Sequence, residues 1–334
     1  MHSRGEGAGS GRRPTQTDTR GSALAATTAT ARLSRPACGA DCAPCKMWWA
    51  ALGAAIALVA APTHAIPNRG RNFASPDWSY YHRTDEIFTL INSYAKQCPA
   101  LEVSRVSDSE TPPYTVVDTM ICTATDTSVE PEHKVPMLVV FGEHARELIS
   151  SEIALRLVAM LCSPALEARG GWILADVDAV GGVERLNELS KLHRKAMDGL
   201  AHYGMSTAQV GTLLKRLLFK FVPVENLIGR RMVESSGTSK LCHRMNGRSV
   251  DINRNYDNHF GVHAKEYLPS EEYEGTRAFS EPETRITHAV AAALKPMVFV
   301  SVHSGIRELY PLMITRGWSF YLLRSARFLP HNCD

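Results

Sequence analysis

The pattern of apolar positions predicts a buried strand followed directly by a helix in the middle of the chain. Residues 137–141 form an apolar run rich in β-branched valine, bounded by Pro136 and Gly142. From Leu148 to Cys162 the apolar residues recur at helical spacing instead. The segment between them, which contains His144 and Glu147, is therefore predicted to be the turn that joins the strand to the helix.

Similar patterns on both sides of this unit predict that strands alternate with helices. We expect helices over Thr84–Tyr94 and Glu281–Leu294, and strands at Leu101–Val106, Tyr114–Val117, Met120–Thr123, Leu217–Val222 and Met297–Val302. Residues 163–215 contain helical spacing over Val183–Leu200 but are expected to be a surface insertion. The alternation predicts an α/β domain with a central mixed, mostly parallel sheet covered by helices on both faces.

The amino-terminal region differs in composition from the rest. The first 46 residues are rich in Ala, Thr, Ser, Gly and Arg, and we expect them to be disordered or removed. Met47–Ala61 is apolar but shorter than the ~20 residues of a bilayer span, and Thr63-His64-Ala65 resembles a cleavage site. We interpret residues 1–65 as a leader with a secretory signal peptide cleaved after Ala65, which leaves no stable membrane span. A signal anchor and an organellar transit peptide are the alternatives.

The charge distribution gives no argument for nucleic-acid binding. With 37 basic and 34 acidic side chains the formal net charge is +3, and the basic pairs Lys215-Arg216 and Arg230-Arg231 are expected to face solvent. The chain has no dinucleotide fingerprint, no phosphate-binding Gly-rich loop and no nucleophile elbow.

The chain contains eight cysteines, which fits a secreted protein. Cys38, Cys42 and Cys45 lie in the leader, Cys98, Cys122, Cys162 and Cys242 lie in the body, and Cys333 is the odd one near the end. We expect the pairs Cys98–Cys122 and Cys162–Cys242. Free buried thiols, which suit a reducing compartment, are the alternative.

The turn after the central strand and the end of a later strand carry side chains that can bind a metal. His144 and Glu147 are three residues apart just beyond the carboxyl end of one strand, where open α/β sheets place their sites. His303 ends the strand Met297–Val302, on the same edge if the two strands are parallel. A His/Glu/His set with one position left for water is typical of a hydrolytic zinc. The alternative for His-x-x-Glu alone is a solvated turn with a surface glutamate.

A stretch dense in arginine and asparagine lies between these motifs, at Leu241–Tyr256. Arginine can hold a carboxylate through two parallel hydrogen bonds, and asparagine can add a third donor. The sequence therefore suggests a site for a carboxylate; the alternative is a loop whose asparagines cap turns and whose arginines are solvated.

These segments occur in the order found in zinc metallocarboxypeptidases, the carboxypeptidase A/B and N/E group, which the chain resembles from about Tyr80 to Tyr310. The motifs are Gly142–Glu147, Asn226–Arg231, Cys242–Tyr256, Gly275–Thr284 and Ser301–Ser304. The resemblance implies an exopeptidase domain within residues 66–310 that acts on the free C-termini of peptides and proteins. It also implies one Zn²⁺ ion held by His144, Glu147 and His303.

By the same resemblance, four further residues have roles in the site. Arg244 is implied to stabilise the oxyanion, Asn253 and Arg254 to hold the terminal carboxylate of the substrate, and Arg146 to line an outer subsite. Glu281 and Glu283, at the start of a helix, are implied to be structural.

The chain departs from the family after Tyr310. The family's general-base glutamate and substrate-capping tyrosine lie several dozen residues beyond the third zinc ligand, whereas 31 residues follow His303 here. We therefore expect a truncated domain without its last strands and helices, a divergent tail over residues 311–334, no general base, and little or no turnover. A catalytically inactive relative that binds zinc and peptide C-termini, and an unrelated secreted domain, are the alternatives to an active carboxypeptidase.

Overall fold

The computed structural model describes residues 76–109, 116–172, 176–237, 239–258, 260–263, 265–304, 308–312 and 319–325. The predicted signal peptide and its cleavage site lie outside these ranges. Within them, no helix is long and apolar enough to cross a bilayer.

Helices and strands alternate along the described chain. The strands are β1 (Leu101–Ser109), β2 (Val116–Ala124), β3 (Val135–Phe141), β4 (Leu217–Val222), β5 (Val298–Ser304), β6 (Glu308–Leu312) and β7 (Ser319–Ser325). The helices are α1 (Thr84–Ala95), α2 (Leu148–Leu161), α3 (Ser163–Ala168), α4 (Val177–Val180), α5 (Val183–His202), α6 (Thr207–Arg216), α7 (Leu227–Ser235), α8 (Pro269–Glu272) and α9 (Pro282–Leu294). Two short 3-10 helices cover Pro131–His133 and Ile252–Arg254.

All seven strands form one mixed sheet in the order β1-β2-β4-β3-β5-β7-β6. Strand β3 is parallel to both β4 and β5, and β5 is parallel to β7. The other three pairings, β1–β2, β2–β4 and β6–β7, are antiparallel. The predicted α/β fold with a mixed sheet is confirmed, and the predicted parallel arrangement holds for the centre of the sheet, where β3 carries the candidate site.

Helices cover both faces of the sheet. Successive side chains of β3 point to opposite faces, so the strand contributes to two separate cores. Val139 and Phe141 pack into the larger core, which contains apolar residues of α1, α2, α5 and α6. Leu138 and Val140 pack into a second core, which includes Ile286 of α9. A strand buried on both faces reads as a continuous apolar run, which is what the sequence has here.

The expectation of a surface insertion over residues 163–215 is wrong. Leu189 and Ala196 of α5 and Val210 of α6 are fully buried and belong to the larger core. The apolar residues of α5 recur at helical spacing, and this stripe packs against α2. The many charged residues of α5 lie on its opposite face and concealed its role in the sequence.

Arg230 was expected to face solvent, but it is one of the most deeply buried side chains, with 1% exposure. Its guanidinium donates to Glu234 Oε1 at 3.0 Å and to the backbone oxygen of His82 at 2.8 Å. The neighbouring Arg231 is exposed, as predicted, and pairs with Asp85 at 2.9 Å. These partners make burial of Arg230 tolerable; Glu234 is four residues away on the same helix, whereas His82 is 148 residues away.

The predicted disulfide pairs are also wrong. Cys98 is bonded to Cys162, with their Cα atoms 5.5 Å apart, and Cys122 is a free, buried thiol. Cys98 follows α1 and Cys162 ends α2, and these helices pack against each other. Cys122 lies in the middle of β2 and is buried in the larger core, so it does not reach either of them.

The disulfide gives a prediction about stability. It closes a loop with a sequence separation of 64 residues, and a loop of that length is expected to contribute about 3–4 kcal/mol to the free energy of unfolding. The double variant Cys98→Ala/Cys162→Ala should therefore unfold at lower urea concentration than the parent chain. Adding a reductant should remove the difference between the urea midpoints of the parent and the variant. Equal urea midpoints for the oxidised parent and the variant would contradict this.

Candidate metal centre

The turn after β3 is fixed by close contacts that hold His144 and Glu147 in place. Gly142 has a φ of +66°, and a side chain there would lie 2.9 Å from Ser151 Oγ, so both the conformation and the space favour glycine. Ser150 Oγ accepts from the Gly142 N–H at 3.0 Å and donates to the backbone carbonyl oxygen of Glu147 at 2.7 Å. Glu147 is the residue immediately before α2.

The third member of the predicted set comes from the neighbouring strand. Strands β3 and β5 are parallel, with Phe141 opposite Val302, so His303 follows at the same edge of the sheet as His144. The backbone N–H of Ser304 donates to Glu147 Oε2 at 2.9 Å and ties the two strand ends together. The inference that both strands end at one edge is confirmed.

The three side chains converge in a buried position. His144 Nδ1 lies 2.7 Å from Glu147 Oε1, His303 Nδ1 lies 3.1 Å from Glu147 Oε2, and the two Nδ1 atoms are 3.1 Å apart. The exposed fractions of His144, Glu147 and His303 are 2%, 5% and 1%. Zinc lies about 2.1 Å from nitrogen and oxygen ligands, so a single ion fits in contact with all three. Among the described residues, these three form a group able to hold a metal ion.

Each histidine is held from its other ring nitrogen by a carboxylate. Asp251 Oδ1 lies 3.2 Å from His144 Nε2, and Glu143 Oε2 lies 2.8 Å from His303 Nε2. Ser301 Oγ donates to Glu143 Oε2 at 2.6 Å. This leaves both Nδ1 atoms directed at one point, and a carboxylate behind a ligating histidine is the usual support of a zinc site.

Sequence analysis missed these supporting residues. Ser301 is two positions before His303 on the same strand, so its side chain points to the same face, and this signal was available. Glu143 is adjacent to His144 but is directed towards His303, which only the pairing of β3 with β5 reveals. Asp251 is 107 residues from His144, and no local pattern links the two.

The charges of the group are set by these contacts. Burial raises the pKa of Glu147, but His144 and His303 outweigh it and hold this pKa well below its usual value. Burial lowers the pKa of His303, but Glu147 and Glu143 raise it to about 10. For Asp251, burial is outweighed by His144 and Arg244, which lower its pKa. The carboxylates are therefore ionised and available as metal ligands or as acceptors for the imidazoles.

The structure brings the predicted oxyanion-stabilising residue Arg244 and the predicted substrate-binding residue Asn253 beside the group of His144, Glu147 and His303. Arg244 Nη1 lies 3.3 Å from His144 Nδ1, and the guanidinium also donates to Asp251 Oδ2, from Nε at 3.0 Å and from Nη2 at 2.6 Å. Asn253 Nδ2 lies 3.5 Å from His303 Nε2.

The other two predicted residues are held by α8. Arg254 Nη2 pairs with Glu272 Oε1 at 3.0 Å. Arg146 Nη1 pairs with Glu271 Oε2 at 2.9 Å and donates to the Cys242 oxygen at 3.0 Å. Both acidic partners belong to the same short helix.

The glutamates at the start of α9 are buried away from the metal-binding group. Glu281 and Glu283 are 3% and 1% exposed, and Asn246 Nδ2 donates to Glu281 Oε2 at 2.9 Å and to Glu283 Oε2 at 3.3 Å. These bonds join α9 to the arginine-rich segment, as a structural role requires.

Glu225, which follows β4, is a further buried carboxyl that the sequence did not single out. Burial raises its pKa well above the usual value, and the charge of Glu143 raises it further. Its Oε1 accepts from the Tyr256 hydroxyl at 2.9 Å and from Thr287 Oγ1. Glu225 therefore holds its proton to a higher pH in the folded chain than in the unfolded chain.

This gives a prediction about the pH dependence of stability. Between the unfolded pKa of about 4.3 and the higher folded pKa, the folded state binds one proton more than the unfolded state. The free energy of unfolding should therefore fall as pH rises through this window, by up to about 1.4 kcal/mol per pH unit. The Glu225→Gln variant should not show this fall, so its free energy of unfolding should rise relative to that of the parent as pH increases. Urea unfolding at several pH values at constant zinc checks this; parallel profiles would contradict it.

The fold and the buried group together define an α/β protein with a His/Glu/His group able to hold a metal ion at the carboxyl edge of its sheet. Residues 191–316 match the family model Peptidase_M14, described as zinc carboxypeptidase. This match covers the arginine-rich segment and His303, and it confirms the resemblance stated from the motifs.

Solved structures are similar to this chain at low sequence identity. Thrombin activatable fibrinolysis inhibitor (TAFI) is 21% identical with a TM-score of 0.47, covering 78% of this chain and 56% of that one. Carboxypeptidase A from Helicoverpa armigera is 18% identical with a TM-score of 0.44, covering 80% and 54%. Bovine thrombin-activatable fibrinolysis inhibitor, in complex with tick carboxypeptidase inhibitor, is 20% identical with a TM-score of 0.44, covering 71% and 64%.

The chain thus spans between half and two thirds of the length of these structures. A comparison with curated proteins finds no significant match.

Proposed function

We propose that the chain is a zinc-dependent carboxypeptidase domain that binds the free C-terminus of a peptide or protein and hydrolyses the last peptide bond. The observation that carries this proposal is the convergence of His144, Glu147 and His303 on one point, with both histidines backed by carboxylates. The match of residues 191–316 to the zinc carboxypeptidase model supports the same reaction class.

The donor set fits one zinc ion, since two imidazoles, which bind a metal in the deprotonated form, and one carboxylate leave a fourth position open. Zinc held there supplies Lewis-acid activation of water and of the substrate carbonyl. The contribution of the protein is to hold both Nδ1 atoms and the Glu147 carboxylate in position, through Asp251 and Glu143, in a site that excludes bulk water.

The positive groups around this centre match the substrate. Arg244 is proposed to donate a hydrogen bond to the carbonyl oxygen as negative charge develops on it. Its Nη1 atom lies 3.3 Å from His144 Nδ1, which supports this role. Arg254 and Asn253, from the 3-10 helix Ile252–Arg254, are proposed to hold the terminal carboxylate, and Arg146 to contact the chain further upstream. A clamp for a free carboxylate restricts the reaction to the last residue.

Binding of zinc and of a peptide C-terminus without turnover is the second candidate function. Three acidic side chains contact the two histidines. Glu147 belongs to the group itself, and Glu143 and Asp251 hold the other ring nitrogens of His303 and His144. None of these is assigned as the acceptor of the water proton, so the described residues account for binding more fully than for the proton transfer.

The buried disulfide and the apolar run at Met47–Ala61 support secretion as the proposed location. Disulfides such as Cys98–Cys162 persist in oxidising compartments. Expression with the leader in secretory cells, followed by amino-terminal sequencing of the secreted chain, should give a start at Ile66.

The test of the reaction compares peptides that differ only at the C-terminus. The purified chain with one equivalent of zinc is incubated with peptides ending in aromatic, aliphatic or basic residues, as free acids and as amides. Release of the last residue from the acids, blocked by a chelator, supports the carboxypeptidase. Zinc-dependent binding of the acids without release supports the second candidate. Absence of both contradicts the proposal.

A further inference from the structure

The helix α8 lies over the residues proposed to bind the substrate. Its residues Pro269–Glu272 (Pro-Ser-Glu-Glu), which we call the acidic strap, include two neighbouring glutamates. Glu272 Oε1 pairs with Arg254 Nη2 at 3.0 Å, and Glu271 Oε2 pairs with Arg146 Nη1 at 2.9 Å. Each glutamate is thus paired with a different arginine of the proposed substrate site.

The backbone of the strap also contacts the third arginine of the site. The Glu271 carbonyl oxygen accepts from Arg244 Nε at 3.0 Å. Just beyond the strap, the Tyr273 carbonyl oxygen accepts from the Asp251 N–H at 2.7 Å. The strap is therefore fastened to the same segment that supplies Arg244, Asn253 and Arg254.

A cavity of about 430 Å³ is lined both by the strap and by this segment. Its lining includes Arg244 and His243 on one side, and Ser270, Glu271 and Tyr273 on the other. The strap therefore forms one wall of a space that reaches the arginine beside the metal-binding group.

The exposure of the paired side chains allows an exchange of partners. The side chains of Arg254 and Glu272 are 39% and 26% exposed, and the side chain of Glu271 is 37% exposed. By contrast, Asp251, which also holds Arg244, is fully buried. A partly exposed ion pair favours the paired state only by a factor of about two to five, so a carboxylate from outside can replace Glu272.

We propose that the acidic strap is an internal competitor for the substrate, in which the Glu272 carboxylate occupies Arg254 and is displaced by the C-terminal carboxylate of the peptide. This inference rests on the proposed function, because it takes Arg254 as the group that binds that carboxylate. Glu272 therefore weakens the binding of free carboxylates and not of amides, since a ligand without a free carboxylate does not have to displace it. Glu271 adds a weaker contribution through Arg146.

The expected size of the effect follows from the fraction of chains in which Arg254 is free. When the competent state is only partly populated, the apparent affinity is reduced by that fraction. Removing the charge of Glu272 should therefore tighten binding of a free C-terminus by about threefold, and removing the charge of Glu271 as well should add a smaller factor of about two. The repulsion between Glu272 and the incoming carboxylate is lost in the same variants and acts in the same direction.

The test measures binding by calorimetry to the full zinc-loaded chain, so it does not depend on turnover. The probes are blocked tripeptides ending in Phe, Leu or Arg, in which a ketomethylene link replaces the last peptide bond, each as the acid and as the amide. Glu272→Gln should bind the acids about threefold more tightly with the amides unchanged, and adding Glu271→Gln should tighten binding of acids and amides alike by a further factor of about two. The difference should shrink at high salt, because exposed ion pairs are screened.

Glu266→Gln is the matched control, because Glu266 is an exposed glutamate in the same surface segment, outside the strap. It should bind acids and amides like the parent chain. If the parent prefers acids to amides but Glu272→Gln binds them with unchanged affinity, the strap is not a competitor and the proposed function stands. If the parent does not distinguish acids from amides, the carboxylate clamp itself is wrong.

Discussion

Replacing His303 by alanine is expected to abolish stoichiometric zinc binding, with a loss of affinity well beyond 100-fold. The supporting residues around a zinc site are each worth about 10- to 100-fold in affinity, and loss of one of three protein ligands should exceed that. The parent chain, dialysed against dilute zinc, should retain one ion, measured by elemental analysis. His303→Ala under the same conditions should retain little, and any release of C-terminal residues should disappear with it.

The control is His202→Ala, which removes an exposed histidine at the end of α5 and should leave the zinc content unchanged. His303→Ala also removes the imidazole partner of the buried carboxylates of Glu143 and Glu147, so the variant is expected to be less stable. Asp251→Asn tests the site with less disturbance, because it keeps the size of the side chain and should lower zinc affinity by about 10- to 100-fold. A folded His303→Ala chain with full zinc content would disprove the assignment of the centre.

The ligands were predictable because each lies at the end of an element with a strong local pattern. The apolar run of β3 and the helical spacing of α2 place His144 and Glu147 on one turn, and the apolar run of β5 ends at His303. Their convergence required only that both strands be parallel and adjacent. The spacing of apolar residues therefore predicts both the central strands and the positions of the three candidate ligands.

What could not be predicted depends on contacts between distant segments. The position of Asp251 behind His144 follows from packing and leaves no local signal. Arg230 has Glu234 four residues later on its helix, but its burial depends on distant segments such as the one that contains His82. The disulfide was assigned wrongly because sequence order does not reveal that α1 packs on α2. The charged face of α5 suggested a surface insertion, whereas its narrow apolar stripe decides where the helix lies.

The same limit applies to the substrate site. The density of arginine and asparagine in Leu241–Tyr256 indicated a carboxylate site, but the acidic partners of these arginines come from α8. Glutamates in a short surface helix have no pattern that separates them from solvated residues. The sequence thus predicts the groups that bind a ligand better than the groups that compete with it.

Replacing Arg254 by alanine is expected to lower the affinity for free C-terminal carboxylates by about 10- to 100-fold. Hydrogen bonds to a charged group contribute about 1.5–3 kcal/mol each, and Arg254 is proposed to be the charged member of the clamp. Binding of the matching amides should change little, so the ratio of acid to amide affinity should fall towards one. Calorimetry with the uncleavable peptides measures both affinities on the zinc-loaded chain.

Arg231→Ala is the control, since Arg231 is exposed and pairs with Asp85 away from the site. Combining Arg254→Ala with Glu272→Gln separates two explanations of any gain seen in Glu272→Gln alone. If Glu272 acts only by occupying Arg254, its removal gives no gain once Arg254 is absent, and the two changes are strongly non-additive. If the gain persists in the absence of Arg254, Glu272 acts through general repulsion instead, because its partner in the ion pair no longer matters.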